Sequence, residues 1–302
     1  MANMKTLKHA MFTAIMILLL AACGPAATAV PTPTPSPVPP AEVVDAQRTV
    51  TAGGAERTYF LHIPAGLQGG QPVPLVFFFH GYSESGRQSR SYTGFDKVAD
   101  ANGFVVVYPN GSGPSGSMSW NGSGCCGEAL EENVDEPAFV RAILADVGTL
   151  LPVDAKRVYA SGFSNGALLS YRLACEMSDT FAAVAPAGGV LMYSPCEPEQ
   201  PVSLMHIHGL TDRVVPFDGG GSGIQFPPVR DSLAAWEKID GCSGAEQVEE
   251  DGILTHTTFG SCAPGVSVEL VTLSGTGHTW PSQYVVPVTK MVWEFFAAHP
   301  KP

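Results

Sequence analysis

The sequence predicts an α/β fold, with a mostly parallel central sheet and helices on both faces. Three observations carry that prediction. Pro74–Phe79 and Phe104–Tyr108 are unbroken apolar runs, as expected of strands buried on both faces. Segments of helical composition alternate with such runs, the pattern of strand-helix-strand units. Finally, Val158-Tyr159-Ala160 runs into Gly162-Phe163-Ser164-Asn165-Gly166 and then into the helical segment Ala167–Met177. A serine between glycines on a strand-to-helix turn is held strained, with its hydroxyl exposed above the sheet. The glycines are required because a Cβ at either position crowds the neighbouring strand or helix.

The chain opens with an address. Met1–Ala22 has a basic start, Lys5 and Lys8, followed by an apolar run too short to span a membrane. It reads as a signal peptide. Leu20-Ala21-Ala22-Cys23 resembles a bacterial lipobox, in which Cys23 is acylated and becomes the new N-terminus. From Gly24 to Ala41 there are seven prolines, a composition that favours extended polyproline conformation and cannot form a core. Residues 23–41 are therefore expected to be a lipidated cysteine and spacer, and residues 42–302 one catalytic domain.

Glu42–Val50 and Arg57–Ile63 are expected to form a hairpin around Gly53-Gly54. Phe95–Asn102 is a helix candidate, and Asn110–Gly127 a long Gly/Ser-rich loop holding Trp120. Pro137–Leu150 has helical spacing, with Pro137 suited to a first turn. The acidic run Glu128–Glu136 lacks the spaced oxygens and glycine of a calcium loop, and reads as a solvated approach to that helix. Phe181–Ala185, Ser203–His208, Gly252–Phe259 and Val266–Leu273 read as strands, Pro228–Ile239 and Val286–Ala298 as helices.

The net charge is −12, and −14 once Lys5 and Lys8 leave with the signal. That argues against nucleic acid and phosphate-rich partners. Besides Cys23 there are six cysteines: Cys125, Cys126, Cys175, Cys196, Cys242 and Cys262. An even number in an exported chain implies disulfides, with fifteen possible connectivities. Cys242 is expected to pair with Cys262. Cys125 and Cys126, pointing apart, are expected to pair separately with Cys175 and Cys196.

A serine hydroxyl is a poor nucleophile without a base. Of the downstream histidines, His256 sits inside a strand and His299 at the chain end. His278 lies in a flexible loop directly after a strand, where open α/β sheets place reactive groups. The carboxylate that orients it is expected to be Asp212, after the strand and glycine turn Ser203–Gly209; Asp218 is the nearest rival. The resulting order is Ser164, Asp212, His278. The oxyanion requires two amide donors, expected from Asn165, just after the nucleophile, and from Tyr82 after His80-Gly81. Zinc on His206, His208 and Asp212 is a rival, but leaves the serine turn unexplained. No metal and no cofactor is implied.

Several motifs stand in one order: His80-Gly81, Trp120-Asn121 with Cys125-Cys126-Gly127, Gly162–Gly166, His208-Gly-Leu-Thr-Asp212 with Val215-Pro-Phe, and Gly277-His-Thr-Trp-Pro281. Together they resemble carbohydrate esterase family 1, the secreted polyhydroxybutyrate depolymerase-like and feruloyl esterases, over roughly Thr49–Pro300. The resemblance implies an α/β-hydrolase fold and a serine triad at Ser164, Asp212 and His278. Depolymerase-like members often carry a cysteine in place of Tyr82 and a second glycine in place of Ala167. The expected function is an exported serine carboxylesterase acting on feruloyl or acetyl esters of plant cell-wall fragments. Tyr82, Trp120, Phe163, Phe217 and Trp280 are expected at the mouth of the site, where flat rings suit a hydroxycinnamoyl group or sugar. The chain length leaves no room for a polymer-adsorbing module, which favours soluble esters over solid polyester. Polyhydroxyalkanoate oligomers are the alternative substrate. A non-catalytic glycan-binding lipoprotein is an alternative of another class, one that the complete serine, histidine and aspartate set disfavours. The partners expected are a small or oligosaccharide ester and, through the anchor alone, a membrane; the chain is expected to be a monomer.

Overall fold

The computed structural model describes residues 44–67, 70–281 and 285–302. The signal segment, Cys23 and the Pro-rich spacer lie outside the described residues. Within them, the alternation of β3 (Val73–Phe79) sets the layers. Leu75, Phe77 and Phe79 enter one core, and Val76 and Phe78 enter the other, because successive strand side chains point to opposite faces. An apolar run of this kind is stable only between two layers of helices.

Those layers are present. The hairpin β1 (Val44–Ala52) and β2 (Ala55–Ile63) precedes β3. After it come α1 (Gly86–Thr93), α2 (Phe95–Asn102) and β4 (Val105–Pro109). The short α3 (Glu128–Glu131) and then α4 (Glu136–Gly148) lead to β5 (Val153–Phe163) and α5 (Asn165–Glu176). β6 (Ala183–Ala187), β7 (Ser203–Gly209) and α6 (Val229–Ile239) follow. The chain closes with β8 (Gln247–Asp251), β9 (Leu254–Thr258), β10 (Val268–Leu273) and α7 (Val288–Ala298). Phe139 and Ile143 of α4, Leu169 of α5 and Trp236 of α6 fill one core; Phe95 of α2 and Val292 and Phe296 of α7 fill the other.

The ten strands form one sheet in the order β1-β2-β4-β3-β5-β6-β7-β10-β9-β8. From β4 through β10 every neighbouring pair is parallel, and the flanking hairpins are antiparallel. The expected α/β-hydrolase arrangement is therefore observed. The ends of β3, β5, β6, β7 and β10 share one edge, and the loops leaving it carry the site. No helix of the described residues is long and apolar enough to cross a membrane.

Two sequence expectations are corrected here. The disulfides are Cys125–Cys126, Cys175–Cys196 and Cys242–Cys262. Only the last pair was anticipated. An extended trans backbone throws adjacent side chains to opposite sides, whereas the Cys125–Cys126 peptide is cis and the two Cα atoms lie 3.2 Å apart. Glu136, placed by sequence in a solvated run, is fully buried and accepts from Arg57 Nη1 at 3.2 Å and from Asn121 N at 3.1 Å.

Asp240, at the end of α6, is 1% exposed, and neither carboxylate oxygen has a hydrogen-bond partner among the described residues. Burial pushes its carboxyl up to about 7. The folded chain thus keeps this proton in a window where the unfolded chain, at about 3.9, has lost it. Stability from this group is complete below about pH 4, falls as pH rises and is lost above about pH 7. Asp240→Asn should raise the melting temperature at pH 8 and leave it nearly unchanged at pH 4; an equal shift at both would refute the assignment.

Candidate active site

Ser164 sits between β5 and α5 at φ 55° and ψ −117°, a conformation that costs of the order of 1–3 kcal/mol and persists only where its surroundings impose it. Here the Ser164 N–H donates to Ala187 O of β6 at 2.9 Å. Close packing does the rest. A Cβ at Gly162 would collide with Gly166 O, and one at Gly166 with the carbonyls of Phe79 and His80. Both glycines are thus needed for backbone approach.

The loop after β10 brings His278 to the serine, with Nε2 2.9 Å from Ser164 Oγ. The turn after β7 supplies Asp212, whose Oδ2 accepts from His278 Nδ1 at 2.6 Å. Its other oxygen accepts from Val214 N at 2.8 Å and Val215 N at 2.9 Å. Burial raises the Asp212 carboxyl, but the bonds from His278, Val215 and Val214 outweigh it and hold the group below the usual range. A carboxylate on Nδ1 leaves the Nε2 lone pair facing the serine hydroxyl, as a general base requires. Asp218, the rival acid, lies exposed on the following loop.

Of the two expected oxyanion residues, Asn165 opens α5 directly after the serine and Tyr82 lies on the loop after β3. Asn165 N is in the first turn of α5, where backbone donors have no intrahelical acceptor. Its buried side chain accepts from Trp120 N at 2.7 Å and donates to Trp120 O at 3.0 Å and Cys125 O at 3.3 Å. On the other side, Gly81 packs on the Phe163 ring. Gly81 N donates to Glu84 Oε2 at 3.0 Å and Ser83 N to Met118 O at 2.9 Å, so the loop around Tyr82 is tied on both sides. His80 supports it: Nδ1–H donates to Gly81 O at 2.7 Å and Nε2 accepts from Gly111 N at 2.9 Å. Burial lowers its pKa to about 4, so it stays neutral and keeps both bonds.

The aromatic expectations divide. Phe163 stands beside His278, ring centroids 4.8 Å apart, and Tyr82 is exposed. Phe217 is half-buried and meets the His208 ring edge-on at 5.8 Å. Trp120 and Trp280 are corrected: neither is a wall of the site. Trp120 is fully buried and donates Nε1–H to His80 O at 2.9 Å. Trp280 packs edge-on against Phe78 at 5.0 Å and donates to Thr289. A tryptophan in a Gly-rich loop satisfies its N–H on backbone as readily as it faces a ligand. A glycan-binding surface built on these two rings is excluded with them.

His206 and His208 spend their ring nitrogens on protein partners: they bond each other at 3.1 Å, and their outer nitrogens meet Tyr171 OH and Val215 O. Asp45, His62 and Asp96 lie close enough to hold a cation, but Arg90 already pairs with both aspartates. Sequence reasoning missed Glu84, and it missed Arg57, whose guanidinium lies 3.9 Å from the Phe139 ring and bonds Glu136 beneath Asn121. Arg57 has no local signature, since its partner Glu136 is distant in the chain.

Residues 57–219 match the family described as Esterase PHB depolymerase, and so include Tyr82, Ser164 and Asp212. The chain belongs to this esterase family. It is 30% identical over 251 residues to "Feruloyl esterase B" of Piromyces equi, covering 79% of this chain and 44% of that one. It thus spans less than half of that relative's length. It is also 30% identical over 256 residues to "Probable feruloyl esterase C" of Aspergillus flavus, covering 80% of this chain and 84% of that protein. Among solved structures, an acetyl xylan esterase from Aspergillus awamori superposes with a TM-score of 0.61 at 15% identity, over 84% of this chain and 99% of its own. That likeness is one of fold.

Proposed function

We propose that this member of the esterase family is an exported serine carboxylesterase that hydrolyses feruloyl or acetyl esters of plant cell-wall polysaccharide fragments. The observation that carries the proposal is the unbroken line Asp212 Oδ2, His278 Nδ1, His278 Nε2, Ser164 Oγ. Ser164 Oγ attacks the ester carbonyl as its proton passes to His278 Nε2. The oxyanion is held by the N–H groups of Asn165 and Tyr82. Collapse expels the alcohol, which takes the proton from His278, and leaves an acyl group on Ser164. Water then attacks with His278 again as base, releasing the acid and the free serine. Each oxyanion donor of this kind contributes about 10²–10³ in rate.

The substrate class rests on the surroundings and on the relatives. Phe163 offers a flat apolar ring beside His278, and the Tyr82 ring is exposed. The relatives named as feruloyl esterases point the same way. The family's depolymerase description favours hydroxybutyrate oligomers as the second reading. A direct comparison decides: kcat/KM should be higher on methyl ferulate or feruloylated oligosaccharides than on hydroxybutyrate oligomers. Efficient cleavage of those oligomers with no release of ferulate would promote the second reading.

Export and anchoring are part of the proposal, motivated by Lys5, Lys8, the apolar run and Leu20-Ala21-Ala22-Cys23. Stable anchoring needs more than one acyl chain, which a lipidated cysteine supplies. Cys23→Ser should move active enzyme from the membrane fraction to the soluble fraction; a wild-type chain already wholly soluble contradicts the anchor.

A further inference from the structure

Behind Asp212 lies a buried polar chain that the mechanism above does not use. Tyr171 OH is 2.8 Å from His206 Nδ1, His206 Nε2 is 3.1 Å from His208 Nδ1, and His208 Nε2 is 2.8 Å from Val215 O. All three side chains are essentially without solvent access. The same His208 Nε2 stands 3.6 Å from Asp212 Oδ2, the oxygen that accepts from His278. Polar groups this deeply buried must satisfy one another, and that requirement fixes every proton.

A carbonyl only accepts, so His208 Nε2 carries hydrogen. A neutral imidazole has one N–H, so His208 Nδ1 is a lone pair and accepts from His206 Nε2–H. His206 Nδ1 is then the acceptor for the Tyr171 hydroxyl. Burial lowers the pKa of both histidines and raises that of the tyrosine, which keeps the chain neutral and its direction single.

We propose that Tyr171 and His206 are positioning residues that act through His208 on Asp212, by reinforcing the Nε2–H form of His208 that Val215 O selects. This rests on the assignment of Ser164, His278 and Asp212 as the catalytic triad. With hydrogen on Nε2, His208 presents the positive end of an N–H dipole to the carboxylate. It also anchors Val215 O, and with it the turn whose Val214 and Val215 N–H groups hold the other carboxylate oxygen. With hydrogen on Nδ1, a lone pair would confront both Val215 O and Asp212 Oδ2. Tyr171 lies on α5, the helix that starts beside the nucleophile, so one helix fixes the serine and also supports the acid.

Tyr171→Phe tests the proposal, because it deletes only the terminal donor and keeps the ring that packs on Trp236. Without that donor His206 Nδ1 is buried with no partner, and the chain holds His208 less firmly in its Nε2–H form. Hydrolysis of p-nitrophenyl acetate by the full chain should lose roughly tenfold or more in kcat with little change in KM. His208→Gln, which retains an N–H donor, should keep more activity than His208→Leu. In wild-type protein, ¹⁵N spectra should show the Nε2–H form for both His206 and His208. A Nδ1–H form of either residue would overturn the proposal. So would a Tyr171→Phe variant with wild-type kcat and only a lower melting temperature. Activity surviving in Ser164→Ala would instead remove the triad assignment beneath it.

Discussion

Ser164→Ala and His278→Ala should each abolish all but a small residue of ester hydrolysis, a loss of about 10⁵–10⁶ in kcat, while the melting temperature changes little. The geometry explains both the size and the lack of additivity. The hydroxyl gains nucleophilicity only through the 2.9 Å bond to His278 Nε2, and the imidazole has no other acceptor role once the serine is gone. The double variant should therefore be no worse than either single one. Asp212→Asn should keep the fold and lose about 10⁴, because an amide that donates toward Nδ1 forces the proton onto Nε2, the nitrogen that must accept. Asp218→Asn should be near wild type. The reverse result for these two aspartates would mean that the acid is misassigned.

Glu136→Ala should destabilise the chain by about 3–5 kcal/mol, the cost of leaving a buried charge unpaired. Arg57 is 9% exposed, its Nη1 is held by Glu136, and its Nη2 donates to Asn110 O at 3.2 Å. Removing the carboxylate strands this guanidinium between the Phe139 and Trp120 rings and also leaves Asn121 N without its acceptor. Trp120 and Asn121 form the backbone that clasps Asn165, so activity should fall alongside stability. Chemical denaturation of the variant is the check; a loss below about 1 kcal/mol would show the pair to be energetically neutral.

The parts of the molecule legible from sequence are those whose signals are local. Phe77, Phe78 and Phe79 lie on a strand buried on both faces and read as one. Gly162 and Gly166 mark the serine turn by their spacing around Ser164, although Gly166 is crowded by the distant carbonyls of Phe79 and His80. Helix α1, by contrast, was not anticipated. Its sequence, Gly-Arg-Gln-Ser-Arg-Ser-Tyr-Thr, buries only Gly86, Ser89 and Thr93 and so carries no apolar stripe. Its one signature is the Ser85 cap, which accepts from Gln88 N. Strand β8 is exposed at every position and shows no alternation to find. The same logic covers the site. Ser164, His278 and Asp212 announce themselves at the ends of strands. What supports them depends on contacts distant in the chain: Glu136 under Asn121, Trp120 under His80, Tyr171 behind His206. The Trp120 and Trp280 errors have this origin, since composition places an aromatic ring on a loop but does not say which way it turns.

The central claim is that Ser164 forms the covalent intermediate. Reaction of the full chain with a p-nitrophenyl alkylphosphonate, followed by tryptic digestion and mass analysis, tests it most directly. One phosphonyl group is expected, on Ser164 in the peptide Val158–Arg172, acquired in step with the loss of activity. The label should be absent in Ser164→Ala and acquired far more slowly in His278→Ala. Stoichiometric labelling of a different residue with complete inactivation, or undiminished hydrolysis after Ser164 is fully modified, would contradict it.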